Sequence, residues 1–126
     1  MNYSKFVKLV LSQDERNVIR TVQRKVLDIP QPLKEFYNKY EPEDVEILTN
    51  DLSGINIFPY VNLDELQKEY SLGEEYFVFA IKNGDPIALH NNKVVSRGHG
   101  SKDSDFEEIA DDFDSYIIKL IENMKL

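Results

Sequence analysis

The fold of this chain is decided by the stretch YFVFAIKNGDPIAL, residues 76–89. Residues 76–81 are apolar at successive positions, which is typical of a central strand covered on both faces. Asn83 and Gly84 predict a tight hairpin turn, because both residue types tolerate a positive φ. Asn91 and Asn92 predict a similar turn farther along the chain. We therefore expect a three-stranded antiparallel meander over about residues 76–97.

Upstream of the meander, short segments alternate apolar and polar residues. Residues 45–48 and residues 55–57 predict two short strands separated by a turn. Asn62 precedes a segment with helical apolar spacing, so we expect a brief helix that ends before Gly73.

The N-terminal part of the sequence has helical spacing. Residues 3–27 repeat apolar side chains at intervals of three and four, which predicts either one helix or two. Pro30 and Pro32 interrupt this pattern and suit the first turn of a further helix, which Pro42 ends. The apolar stripe of that helix consists of Leu33, Phe36, Tyr37 and Tyr40.

The C-terminal segment predicts a long closing helix. Ser104 and Glu107 have capping-box spacing, and an apolar stripe follows over about five turns. Its members are Phe106, Ile109, Ala110, Phe113, Ile117, Leu120, Ile121 and Met124. Together these elements predict an α+β fold, with N-terminal helices, an antiparallel sheet and a long C-terminal helix, in a single domain over residues 1–126.

Composition excludes several classes of protein. The chain has 126 residues, of which 41% are hydrophobic, and this is enough apolar surface for a folded core. It contains no cysteine, which excludes thiolate nucleophiles and disulfides and is usual in a reducing compartment. The apolar runs are too short to span a membrane, and the N-terminal residues lack the features of an export signal. We expect a cytoplasmic protein.

Charge is distributed unevenly along the chain, whose net charge is −8. Residues 1–40 carry eight Lys and Arg against four Asp and Glu, whereas residues 41–126 carry seven against nineteen. Nucleic-acid binding requires a dense cationic stripe, which the acidic part cannot supply. An acidic surface instead favours a basic protein as partner.

Sites for chemistry are sparse in this sequence. His90 and His99 are the two histidines, and we interpret both as structural. The glycine-rich residues 98–102 precede a predicted helix and are either an anion cradle or an ordinary connection, and we favour the connection. The chain shows no motif for catalysis, so we expect no enzyme activity, catalytic residue, metal site or cofactor.

The acidic run from Asp103 to Asp114 contains seven carboxylates and no cation. A helix dipole explains those in the first turn of the predicted helix. It does not explain Glu108, Asp111, Asp112 and Asp114, whose mutual repulsion a helix would have to tolerate. We interpret these residues as a partner-binding surface, with a solubilising face as the alternative.

Three segments together resemble the SUKH superfamily, which contains bacterial immunity proteins and relatives among cell-wall-assembly regulators. Residues 29–37 are similar to the family's proline-led helix with paired aromatics. Residues 76–89 are similar to its strand, Asn-Gly turn and strand, and residues 109–117 to its C-terminal helix.

The resemblance implies an α+β fold and a cytoplasmic immunity protein, or antitoxin. Such a protein binds and neutralises a basic toxin domain, often a nuclease. A non-enzymatic regulatory module with a housekeeping partner is the alternative. No catalytic residue is implied in either case.

Overall fold

The computed structural model describes residues 1–97 and 106–126, in which the chain forms helices on an antiparallel sheet. The helices are α1 (Ser4–Gln13), α2 (Gln31–Lys39), α3 (Leu63–Tyr70) and α4 (Phe113–Asn123). The strands are β1 (Val18–Thr21), β2 (Tyr40–Leu48), β3 (Gly54–Ile57), β4 (Phe77–Lys82), β5 (Asp85–His90), β6 (Lys93–Arg97) and β7 (Phe106–Ala110). Within these ranges the strands form one sheet in chain order, and each strand is antiparallel to the next. The α+β class is confirmed.

The predicted meander is confirmed as β4, β5 and β6. Asn83 and Gly84 have φ values of 51° and 88°, and Asn91 and Asn92 have 50° and 65°. Two consecutive positive φ angles match the twist of the flanking strands and give two-residue hairpins. The residue types at these turns therefore fix the register of the meander.

Strand β4 lies in the middle of the sheet, and the adjacent strand β5 is buried on both faces. Ala88 of β5 lies opposite Val78 and Val95, whereas the adjacent Ile87 lies opposite Ala80 and Ser96. Successive residues of a strand point to opposite faces, so these two rows occupy different faces of the sheet. Ala88 and Ile87 are both buried, as the apolar run in this stretch predicts.

Aromatic rings join the helices to one another. Phe36 of α2 makes edge contacts with Tyr3 at the start of α1 and with Phe113 of α4, at centroid distances of 5.4 and 6.2 Å. Phe79 of β4 meets Phe113 at 5.4 Å. The buried hydrophobic residues of the described ranges form one cluster.

The helical prediction for residues 3–27 is wrong beyond Gln13. Residues 18–21 form β1, which pairs with β2. Asn17 separates the two elements, because its side chain donates to the Val10 carbonyl and accepts from the Glu46 amide. The β-branched residues of this segment favour an extended chain once a strand is available to pair with it.

Pro42 does not end a helix, contrary to the prediction. Helix α2 ends at Lys39, and β2 begins at Tyr40 and includes Pro42. Pro42 lies opposite Ile19, next to a register shift between Val18 and Ile19. A missing N–H is tolerated at such an irregularity.

The C-terminal helix is shorter than predicted. Residues 106–110 form β7 beside β6, and α4 begins at Phe113. Glu107 is therefore part of a strand and cannot complete a capping box, and Ser104 lies outside the described residues. Asp112 caps α4 instead, by accepting a hydrogen bond from the Ser115 amide at 2.7 Å. Within the described ranges, no helix has the length and apolar content needed to cross a bilayer.

Candidate functional site

The structure does not place the four predicted partner-binding residues on one helix face. Glu108 lies in β7, Asp111 and Asp112 follow that strand, and Asp114 lies in the first turn of α4. Glu108 is paired with Lys93 of β6, whose Nζ is 3.1 Å from its Oε1. The inferred repulsion along a helix is therefore wrong, because these carboxylates do not follow helical spacing.

Two of these residues have contacts that explain them structurally. Asp112 is the cap of α4, and the hydrogen bond from the Ser115 amide lowers the pKa of its carboxyl. Asp114 accepts a hydrogen bond from the Tyr3 hydroxyl at 2.6 Å. Burial and this bond raise the pKa of Tyr3, so its hydroxyl remains a donor. Asp112 and Asp114 thus hold α4 in place.

Glu108 and Asp111 come together in a different setting, which we call the acidic groove. It is a cavity of about 360 Å³ between β7 and α4. Glu108, Asp111 and Glu122 contribute carboxylates to it, and Ile118 contributes an apolar side chain that is 48% exposed. Protein-binding surfaces combine apolar and charged side chains in this way.

Lys119 forms the boundary of the acidic groove. Its Nζ donates a 2.6 Å hydrogen bond to the carbonyl oxygen of Ile109 in β7. The bond connects α4 to the strand and holds the lysine charge against the backbone. Lys119 is therefore held by a neutral carbonyl group, while Lys93 pairs with Glu108, one of the three carboxylates of the groove.

Strand β7 is an edge of the sheet. In the part of the chain that the structure describes, β7 pairs with β6 on one side and with no strand on the other. An edge strand offers backbone donors and acceptors to an extended segment of another chain. The acidic groove therefore lies beside a backbone that can add hydrogen bonds to a partner.

A second acidic group at residues 41–46 does not join the groove. It lies on β2, near the opposite end of the sheet from β7. Glu41 is buried and accepts from Arg24 at 3.0 Å and from the Tyr60 amide at 2.9 Å. Glu43 is paired with Arg20. Cations from the N-terminal part thus pair with two carboxylates of this group, Glu41 and Glu43, within the protein.

A second cavity, which we call the inner cavity, lies between α4 and the sheet. Its volume is about 480 Å³, within the range of small-molecule sites. It shares Ile109 and Lys119 with the acidic groove, so the hydrogen bond between them borders both spaces. Its lining also includes Tyr116 of α4 and Ser96 of β6.

His90 makes contacts that account for its position at the end of β5. The His90 ring stacks on Tyr76 at a centroid distance of 4.4 Å, and its Nδ1 lies 3.3 Å from the Glu75 carbonyl oxygen. His99 and the glycine-rich loop at residues 98–102 lie outside the described residues. Within residues 1–97 and 106–126, no group of three metal-binding side chains is placed to hold an ion.

Sequence reasoning missed Ile118, Glu122 and the inner cavity. Ile118 carried a signal, because it is a large apolar residue that does not belong to the apolar stripe of its helix. Because single exposed apolar residues are common on protein surfaces, Ile118 indicates a contact surface only together with the carboxylates of the same groove. The inner cavity had no such signal, since its lining comes from separate strands and one helix.

No family model, curated protein or solved structure matches this chain.

Proposed function

We propose that this chain is a cytoplasmic immunity protein that binds and neutralises a basic toxin domain. The observation that carries the proposal is the acidic groove, in which three carboxylates and the half-exposed Ile118 line one cavity beside strand β7. The resemblance of residues 29–37 and 76–89 to the SUKH superfamily supports the same function, whereas residues 109–117 match its C-terminal helix only from Phe113 onward. A nuclease fits the partner class, because its nucleic-acid-binding surface is cationic.

In the complex, charged residues would accelerate encounter and an apolar residue would be buried at the contact. Glu108, Asp111 and Glu122 attract lysine and arginine side chains, which accelerates encounter and orients the partner. Ile118 then loses its exposed surface against an apolar residue of the toxin. A toxin whose cationic surface is covered in this way no longer reaches its nucleic acid.

The first experiment identifies the partner and its effect on growth. The chain is used as bait in its native host, and co-purified proteins are identified by mass spectrometry. Each recovered domain is then expressed with and without the chain. We expect one domain to stop growth alone and to be tolerated with the chain. Recovery of a non-toxic housekeeping protein alone would contradict the proposal and favour a regulatory module.

The second experiment tests the acidic groove with the recovered toxin. Glu108→Lys, Asp111→Lys and Glu122→Lys are combined in one variant. Association at low salt should slow at least tenfold, toward the rate of about 10⁵ to 10⁶ M⁻¹s⁻¹ of encounters without steering. The difference should shrink as salt screens the charges.

The control variant changes net charge equally at residues that do not line the acidic groove. Glu65→Lys, Glu69→Lys and Glu74→Lys alter exposed residues on or just after α3. These changes should reduce the association rate much less than the groove changes, with circular dichroism confirming both folds. Equal rates for the two variants would exclude the groove as the contact surface.

A further inference from the structure

The floor of the inner cavity changes from apolar to acidic across three neighbouring strands. Ile87 of β5 lies opposite Ser96 of β6, and Ser96 lies opposite Glu107 of β7. Directly opposed residues of adjacent strands share one face of the sheet. The row therefore presents an aliphatic side chain, a hydroxyl and a carboxylate in sequence, and Ile55 extends its apolar end.

The charged groups of the inner cavity differ in whether they already have partners. Asp51 accepts from the Ser53 amide at 3.1 Å and from the Thr49 hydroxyl, and these bonds lower its pKa to about 2. Lys82 lies 3.6 Å from the same carboxylate, and Lys119 donates to the Ile109 carbonyl. No described residue makes a hydrogen bond or ion pair with the side-chain carboxylate of Glu107. Among the described charged groups of this lining, the Glu107 carboxylate is therefore the one left to bind a cation.

Tyr116 adds a buried polar group without a protein partner. Tyr116 lines the cavity and is 5% exposed, yet its hydroxyl makes no hydrogen bond with any described residue. Burial raises the pKa of this hydroxyl, so it stays protonated and remains a donor. A buried donor without an acceptor is costly, and a ligand carbonyl would remove that cost.

We propose that the inner cavity binds a small amino-acid-like molecule, independently of any protein partner. The molecule presents a protonated amine to Glu107, an apolar side chain to Ile55 and Ile87, and a carbonyl oxygen to the Tyr116 hydroxyl. Because that hydroxyl is covered by protein, the Tyr116 ring shifts toward the cavity when the ligand binds.

Leucinamide is the probe, because it carries these three groups on a small frame. Binding is followed by nuclear magnetic resonance of the methyl groups of Ile55 and Ile87, at about pH 6.5, where an α-amino group is protonated. For a ligand of this size we expect a Kd of about 1 mM. The analogue 4-methylpentanamide, which lacks the amine, should bind at least tenfold more weakly.

A matched pair of variants tests the role of Glu107. Glu107→Gln should weaken leucinamide at least tenfold and abolish its advantage over 4-methylpentanamide. Glu108→Gln makes the same change at the next residue of β7, which lines the acidic groove and not the inner cavity, so it should leave leucinamide binding unchanged. Equal effects of the two substitutions would overturn the proposal.

Tyr116→Phe tests the carbonyl contact. The variant should lower the affinity for leucinamide several-fold and leave that for 3-methylbutylamine, which lacks the carboxamide, unchanged. Absence of saturable shifts at both isoleucines in the unmodified protein would also overturn the proposal. Neither result bears on toxin binding, since the groove variants are measured with a different ligand.

Discussion

Two glutamine side chains act as short extensions of the sheet. Gln13 of α1 accepts from the Leu48 amide at 2.8 Å and donates to the Leu48 carbonyl at 2.6 Å. Gln67 of α3 makes the same pair of bonds with Val78, at 2.7 and 2.6 Å. Each amide therefore satisfies backbone groups where the strand ladder does not. No sequence pattern marks a glutamine for this role, because the role depends on where its helix packs.

The buried hydroxyls of Tyr37 and Tyr116 differ in whether they make a hydrogen bond, and this difference can be tested. The Tyr37 hydroxyl donates to the Phe58 carbonyl at 2.7 Å, whereas no described group accepts from Tyr116. Tyr37→Phe should lower the free energy of unfolding by about 1 to 2 kcal/mol, because a buried carbonyl loses its donor. Tyr116→Phe should leave the free energy unchanged or raise it by up to about 1 kcal/mol.

Urea denaturation of both variants checks this difference. The two substitutions remove the same atom from the same residue type, so each serves as the control for the other. A loss above about 1 kcal/mol for Tyr116→Phe would mean that this hydroxyl is stabilised in the folded protein.

The beginning of α4 supports a prediction at the scale of the element. Asp112 caps the helix through the Ser115 amide, while its neighbour Asp111 makes no such bond. Asp112→Ala should lower the midpoint of thermal unfolding by several degrees, and Asp111→Ala should have little effect. A helix that began near residue 104 would show no such contrast.

The stability that the Asp112 cap contributes should depend on pH. The pKa of Asp112 is lowered from 3.8, so the charged cap stabilises the fold above that pH. Its contribution disappears as the pH falls through the lowered value. The difference between the unmodified protein and Asp112→Ala should therefore narrow below about pH 4. A constant difference from pH 6 down to acid would contradict a charge-assisted cap.

The apolar spacing of residues 106–110 suits either a helix or a strand. Phe106, Ile109 and Ala110 match a helical stripe, which is why the sequence predicts a helix here. Pairing with β6 decides otherwise, because the β6 residues Val95 and Ser96 lie opposite Glu108 and Glu107. Short segments of this kind take the structure that their neighbours complete.

At the scale of the whole molecule, Phe113 joins α1, α2 and the sheet. Its ring contacts Tyr3, Phe36 and Phe79, and it is buried. Phe113→Ala should lower the free energy of unfolding by about 3 to 5 kcal/mol.

Ile118→Ala, in the same helix, is the matched control. Ile118 is half-exposed, so its removal should change the free energy by about 0.5 kcal/mol or less. Far-ultraviolet and near-ultraviolet circular dichroism should report coincident transitions for both variants, because the buried residues form one cluster. Similar losses for the two would mean that the buried face of α4 is assigned wrongly.

Charge is also organised at the scale of the whole molecule. Arg20 and Arg24 from the cationic N-terminal part engage Glu43 and Glu41 on β2. The other end of the sheet, at β7 and α4, carries the acidic groove. Folding therefore turns a charge difference along the sequence into a difference between the two ends of the sheet. Long-range attraction of a basic partner acts on this arrangement.

The sequence by itself determined the parts of the fold that depend on neighbouring residues. The turns at residues 83–84 and 91–92 require residue types that tolerate positive φ, so the meander follows from local chemistry. Helix α2 follows from its prolines and its apolar stripe. The α+β class follows from the change of apolar spacing along the chain.

Only the tertiary structure decided β1, β7 and the two cavities. Residues 18–21 and 106–110 extend because β2 and β6 supply hydrogen-bond partners for their backbones. The acidic groove and the inner cavity exist because α4 begins at Phe113 and packs beside β7. Apolar periodicity indicates which side chains are buried. Whether these segments form helix or strand depends on hydrogen bonding to another segment of the chain, which the periodicity does not show.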